Sequence, residues 1–223
     1  RMNFIQIDLC GARLHAHGSG ALHWPDEGLL VVSDLHLGKS ERIARRAGQM
    51  LPPYETRDTL ARMEEDVAQL DPARVICLGD SLDDDAATAG LDASDRAAIA
   101  RMQAGRDWTW IAGNHDPAPS DLGGTAAQVV QIGSLMFRHI ATPARGEVTG
   151  HYHPKARLGL RGKAVSRPCF LVDRRHMILP AYGTFTGGLC WRTPHLRGLM
   201  GADARAVLTG PHPAQVPLPR MAA

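Results

Sequence analysis

Apolar residues in this 223-residue chain come in short runs separated by Gly, Pro, Asp and Asn. The runs at residues 4–9, 29–32, 75–78, 108–112, 129–132, 135–137, 170–172 and 177–179 are strand-length and mostly aliphatic or aromatic, so each predicts a strand. One stretch keeps the other period. Leu60, Met63, Val67 and Leu70 recur every three or four positions, which predicts a helix over 55–70 with one apolar face, stopped by Asp71-Pro72. A second helix is expected from a cap at Ser94 to just before Gly105. Strand and helix alternate in the first half, and strands with Gly/Pro turns fill the second, which is the pattern of an α/β layered domain with a mixed sheet. Residues 1–209 read as one domain, and residues 210–223, with four prolines, as a loose tail.

Polar clusters sit where the strands end. They are Ser33-Asp34-Leu35-His36, Gly79-Asp80, Gly113-Asn114-His115-Asp116, Arg138-His139 and Gly150-His151-Tyr152-His153. In open α/β sheets ligands bind beyond the carboxyl ends of the strands, so five such clusters can converge on one crevice. Asp34/His36 and His151/His153 are each spaced by two, which in extended backbone turns both side chains to one side, so that each pair grips one centre. With His115 and Asp116 set aside, the clusters offer two carboxylates, four imidazoles and one amide oxygen, a set of N and O donors without a thiolate. That set suits divalent first-row ions rather than a structural zinc site. Two such ions about 3.5–4 Å apart are the usual clamp for in-line displacement at phosphorus.

Composition narrows the class of protein. With 44% hydrophobic and 22% charged residues the chain is neither disordered nor fibrous, and no apolar run approaches the roughly 20 residues that span a bilayer. Cys10, Cys77, Cys169 and Cys190 have no Cys-x-x-Cys spacing and no secretory signal pattern is present, so a reducing, cytoplasmic setting is expected. The net charge of +2 hides a division: residues 1–120 carry 12 Lys/Arg against 19 Asp/Glu, a net of −7, and residues 121–223 carry 13 against 4, a net of +9. Such asymmetry suits a polyanionic partner, although arginine-rich codon usage produces it as well. Gly38-Lys39-Ser40 looks like the end of a P-loop, but the pattern's first glycine would fall on Ser33 and its interior on Asp34 and His36. Covalent catalysis has no Gly-x-Ser-x-Gly elbow to rest on. His15, His17, His23, His176, His195 and His212 read as structural or surface histidines.

The ordered series Asp-Leu-His, Gly-Asp, Gly-Asn-His-Asp, His and Gly-His-Tyr-His, over residues 34–153, resembles the calcineurin-like metallophosphoesterase superfamily. Gly38-Lys39 and the segment Leu179-Pro180-Ala181-Tyr182-Gly183-Thr184-Phe185-Thr186-Gly187-Gly188-Leu189 resemble its bacterial ligase-associated DNA damage response endonucleases. The resemblance implies a four-layer sandwich, two mixed β-sheets face to face between helices. It implies that Asp34, His36, Asp80 and His153 hold one metal, and Asp80, Asn114, His139 and His151 the other, with Asp80 as the bridge. His115 then matches the residue that acts on the leaving group and Asp116 the carboxylate that orients it. Manganese is the ion implied, with iron or zinc as alternatives. Cleavage of phosphodiester bonds in DNA during repair is the implied activity. Association with a DNA ligase and a helicase is the implied company, without a membrane and with the oligomeric state open. Hydrolysis of a small nucleotide, such as a pyrophosphate or cyclic diester, is the alternative, and a non-catalytic domain of the same fold a third. Lys39, Arg42, Arg45 and Arg46, close in sequence to the first motif, are candidate phosphate contacts, with an exposed helix face as the other reading.

Overall fold

The computed structural model describes residues 3–38, 54–82, 91–114, 121–160 and 163–219. Lys39, Arg42, Arg45, Arg46, His115 and Asp116 lie outside the described residues. One sheet runs β1 (Phe4–Leu9), β2 (Ala12–His17), β3 (Leu22–Trp24), β4 (Leu29–Val32), β5 (Arg74–Leu78), β6 (Asp107–Ile111) and β7 (Thr125–Ala127), adjacent in that order. The other contains β8 (Val129–Ile132), β9 (Leu135–Arg138), β10 (Glu147–Thr149), β11 (Lys155–Leu160), β12 (Lys163–Val172), β13 (His176–Ile178), β14 (Arg205–Leu208) and β15 (Ala214–Pro217). Its order is β15-β14-β12-β13-β10-β9-β8, with β11 paired to β12. Both sheets are mixed. β1 to β4 form an antiparallel meander and β4 to β7 pair in parallel. β10 lies parallel to both β9 and β13, while the other strands of its sheet pair antiparallel.

Alternation along the strands builds the layers. In β4, Leu30 and Val32 face helices α1 (Glu55–Leu70) and α2 (Ala93–Gln103), while Leu29 and Val31 face the second sheet, so the run is apolar throughout because both its faces are buried. Phe137, Val148, Phe170 and Met177 meet Leu29, Val31 and Ile76 between the sheets, all at 2% exposure or less. At about 1.5–3 kcal/mol per buried side chain of this size, that layer is the main bond between the halves. On the far side, helix α3 (Pro194–Leu199) places Leu196 against Tyr152, Leu171 and Trp191. The result is the expected four-layer α/β sandwich.

Two details differ from the sequence expectation. The cap of α2 is Asp92, whose Oδ1 accepts from the Asp95 N–H at 2.8 Å, and Ser94 donates its hydroxyl to that same oxygen at 2.6 Å. Within the segment expected to be a loose tail, Gly210 N–H donates to Gly18 O and residues 214–217 form β15 along β14. Pro217 is accommodated because an edge strand leaves one row of N–H groups unused.

After β13 the chain turns back under α1. Tyr182 N–H donates to Ser33 O at 2.7 Å and Gly183 N–H to Asp34 O at 3.1 Å, which ties this segment to the end of β4. The Tyr182 ring is buried beneath the Arg62 guanidinium at 4.6 Å, and its hydroxyl donates to Asp66 Oδ2 at 2.9 Å. Burial, then the Asp66 carboxylate, hold the Tyr182 hydroxyl well above the ordinary tyrosine value of 10.0. The folded value lies above the unfolded one, so this contribution to stability is intact below pH 10 and is lost as pH rises beyond it. Urea unfolding should therefore show falling stability from about pH 9 to 11, and Tyr182→Phe should flatten that decline. The same variant should lose about 1–3 kcal/mol at neutral pH, because buried Asp66 loses a donor. An unchanged alkaline slope would contradict this assignment.

Candidate metal centre

The loops that follow β4, β5, β6, β9 and β10 carry the five polar clusters, and they meet at one end of the sandwich. Past β4 and β5 the parallel pairing continues into the loops: Asp34, His36 and Leu37 N–H groups donate to Gly79, Asp80 and Ser81 carbonyls at 3.2, 3.0 and 3.0 Å. Gly150 N–H donates to His139 O at 3.0 Å and joins the β10 loop to the β9 loop. Glycine is required where the loops cross. A Cβ on Gly79 would collide with the His139 ring, one on Gly113 with Asp80, and one on Gly150 with Ser33 Oγ and with Asp34 Oδ2 at 2.6 Å. The Gly that precedes Asp80, Asn114 and His151 is thus the room that the neighbouring site residue occupies.

Two groups of donors result. Asp34, His36 and His153 form one, and Asp80, His139 and His151 the other, each with its ligand atoms within 4.8 Å of one another. The extended backbone expected at 34–36 and 151–153 is absent. Asp34, His36, Asp80, His151 and His153 all adopt left-handed φ, between 44° and 69°. Such conformations cost about 1–3 kcal/mol each and persist only where surroundings enforce them. Among the described residues they make up five of the eight non-glycine positions with positive φ. Their turns also send His151 and His153 to different groups, so that pair does not grip one centre.

Hydrogen bonds fix the orientation of each group. Asp34 is fully buried and accepts from the Ser33 hydroxyl at 2.5 Å and from the His151 N–H at 3.0 Å. His139 Nδ1 donates to Leu78 O at 3.1 Å, which leaves Nε2 as the nitrogen that faces the centre. Around His139 Nε2 stand Asn114 Oδ1 at 2.9 Å, His151 Nδ1 at 3.2 Å and Asp80 Oδ2 at 3.3 Å. In the other group His36 Nε2 lies 3.4 Å from His153 Nε2, which is 3.1 Å from Asp34 Oδ1. Burial pushes the His139 imidazole down, but Asp80 and Asp34 outweigh it and hold it above the ordinary value; burial, then His139, push His151 down.

A buried carboxylate requires a countercharge, and lone pairs directed at one another require a shared acceptor of electrons. Divalent cations satisfy both needs. The residues present therefore fit metal ions, one beside each group, with donors of the N/O type and no thiolate.

Beside His153 opens a groove of about 440 Å³ that includes Arg62, Lys155, Thr184 and Phe185. Lys155 donates to Thr186 O at 2.9 Å, and Phe185, half exposed, lies 5.9 Å from the exposed ring of Tyr54. No motif in the sequence marks this groove as a site. Its one signal was the Gly-rich segment after β13, where Gly183 and Gly188 pass close to the Leu35 and His153 carbonyls. Tyr152, between two site residues, is buried in the outer core and faces His195 at 5.4 Å.

The model of the calcineurin-like phosphoesterase family matches residues 29–164, which contain all five clusters. Among solved structures, the chain is similar to the nuclease MPE of Pseudomonas putida, at 27% identity and a TM-score of 0.73. That similarity covers 95% of this chain and 100% of the other. No curated protein matches. The donor groups, the sandwich that carries them and the match over 29–164 agree: this chain belongs to the calcineurin-like phosphoesterase family, whose members are metal-dependent phosphoester hydrolases.

Proposed function

We propose that the protein is a dinuclear phosphodiesterase that cleaves DNA. The observation that carries this reading is the pair of donor groups meeting across the strand ends, each an Asp with two His. Asp34, His36 and His153 would hold one ion and Asp80, Asn114, His139 and His151 the other, with Asp80 shared. When bound, such ions acidify an attacking water and draw negative charge from the phosphoryl oxygens.

The chain's own residues do the rest. Ser33 and the His151 N–H hold the Asp34 carboxylate in place, and the Leu78 carbonyl fixes the His139 tautomer. His115, next along from Asn114, gives a proton to the leaving oxygen or stabilises its charge, with Asp116 orienting the ring. Lys155 and Arg62 border the groove that opens at His153, in reach of a phosphate chain entering there. β11, which begins two residues after His153, and its partner β12 carry Lys155, Arg157 and Arg167 and extend the positive charge away from the centre. Lys39, Arg42, Arg45 and Arg46 add further phosphate contacts in this reading. Naming DNA rests on the +9 surplus of residues 121–223 and on the similar Pseudomonas putida protein being a nuclease. Manganese as activator, a cytoplasmic repair role and association with a DNA ligase and helicase belong to the same reading. No helix among the described residues is long and apolar enough to cross a membrane.

A second reading has its own observation. The groove beside His153 has the volume of a small-molecule site, which suits a nucleotide pyrophosphate or cyclic diester.

Two experiments test these readings. DNA binding along a basic track releases counterions, so affinity should fall with a log–log salt slope of about −0.9 per duplex phosphate neutralised, whereas a small chromogenic diester should respond weakly. Replacing Arg45 and Arg46 with alanine should lower that slope by up to about 2 and spare the small diester. Parallel salt responses for both substrates, measured at about 50–200 mM with manganese, would favour the nucleotide reading. The second experiment is Gly150→Ala, which drives a methyl group into Ser33 and Asp34. Displacing a catalytic group by about 1 Å costs on the order of 10²-fold in rate, so diester turnover should fall that far while far-ultraviolet circular dichroism stays native. Wild-type turnover would contradict the role given to this crossing.

A further inference from the structure

A third cluster of imidazoles lies away from the strand-end centre, on the β1–β3 meander. His15 in β2 stands directly opposite His23 in β3, and His17 follows two residues on, so all three side chains leave the same face of the sheet. The neighbouring residues confirm the alternation. Leu14, Ala16, Leu22 and Trp24 point into the inter-sheet core, and the three histidines point to the other side. One ring nitrogen from each comes within 4.8 Å of the others, and the ring centres lie 5.9–6.4 Å apart. Phe4 closes one flank, stacked on His15 at 3.8 Å and tilted 5.4 Å from His17.

The second observation is that the cluster contains unsatisfied ring nitrogens. His17 is 8% exposed, and its Nε2 is buried with no hydrogen-bond partner; His23 Nδ1 is buried and unpartnered as well. Buried polar atoms in folded proteins are almost always satisfied, and an exception calls for a specific partner. Two of the three imidazoles in the cluster therefore each carry a buried ring nitrogen that the protein leaves unsatisfied.

We propose that His15, His17 and His23 form a further metal site, distinct from the strand-end centre, that takes a zinc-class divalent ion. Three neutral imidazoles without a carboxylate favour Zn²⁺, Cu²⁺ or Ni²⁺ over Mn²⁺, Mg²⁺ and Ca²⁺. Three histidines also leave the fourth position of a tetrahedral zinc open to water. The rings are ready to ligate at neutral pH: burial first, then the neighbouring charges, push all three down, His17 to about 4. An ion there would pin the hairpin whose tip, Gly18-Ser19-Gly20, borders the groove beside His153. The site stands on its own residues and does not depend on the substrate chosen above.

The test is zinc stoichiometry of the full chain, stripped with chelator, reloaded with Zn²⁺ and desalted, with the metal counted by mass spectrometry. His15→Ala/His23→Ala should carry about one zinc fewer per chain than wild type, the single ion such a triad holds. Its manganese-dependent turnover of a chromogenic diester should stay unchanged, which also shows that it folds. If that variant does not fold, His23→Leu, which keeps the apolar bulk, replaces it and should show the same loss. Cu²⁺ gives a second readout. The difference between the electron paramagnetic spectra of wild-type and variant chains should contain a copper bound by three nitrogens. Equal zinc in wild type and variant, or no nitrogen-bound copper in the difference, would overturn the proposal. Loss of diester turnover in Asp80→Asn with this zinc retained would leave the triad standing and bear only on the strand-end centre.

Discussion

Everything at the candidate centre depends on how closely the two sheets approach at the carboxyl ends of their strands. Gly79, Gly113 and Gly150 lie where a side chain from the next loop must pass, and each lacks the one atom that would obstruct it. The sandwich core fixes the spacing behind them, through Leu29, Val31, Ile76, Phe137, Val148 and Phe170. A loose core would let the loops separate, and a single methyl group at the crossing would force them apart. Packing between the sheets and chemistry at their ends are one constraint.

That crossing concentrates charge and strain in the same few residues. Asp34 and Asp80 are almost fully buried, and five site residues sit in left-handed backbone that only their neighbours can enforce. Such an arrangement is unfavourable by itself. A cation turns the carboxylates and converging imidazoles from a liability into a coordination shell, so metal binding and the stability of these loops are coupled.

The site was more legible in the sequence than the fold around it. Metal chemistry demands particular residue types, so Asp34, His36, Asp80, His139, His151 and His153 stand out as a set in the sequence itself. The long helix was equally plain, because Leu60, Met63 and Val67 keep its period. What could not be read was decided by partners far away in the chain. β15 is only Ala-Gln-Val-Pro and exists because β14 lies beside it. β2 has small or apolar residues on one face and Arg13, His15 and His17 on the other, so its apolar run is broken. A spacing of two does not join His151 and His153, for a local reason: both residues have positive φ instead of the extended backbone that would turn them to one side. The histidine triad was hidden likewise: His15 and His23 are eight positions apart in sequence and opposite each other only once the meander has formed.

The central claim is that the two groups of donors hold a pair of ions between the sheets. Anomalous difference density from a crystal of the protein grown with Mn²⁺ tests it most directly. Two peaks about 3.5–4 Å apart are predicted, one beside Asp34, His36 and His153 and one beside Asp80, His139 and His151, with an Asp80 oxygen between them. A single peak, or peaks that leave either group without an ion, would contradict the account.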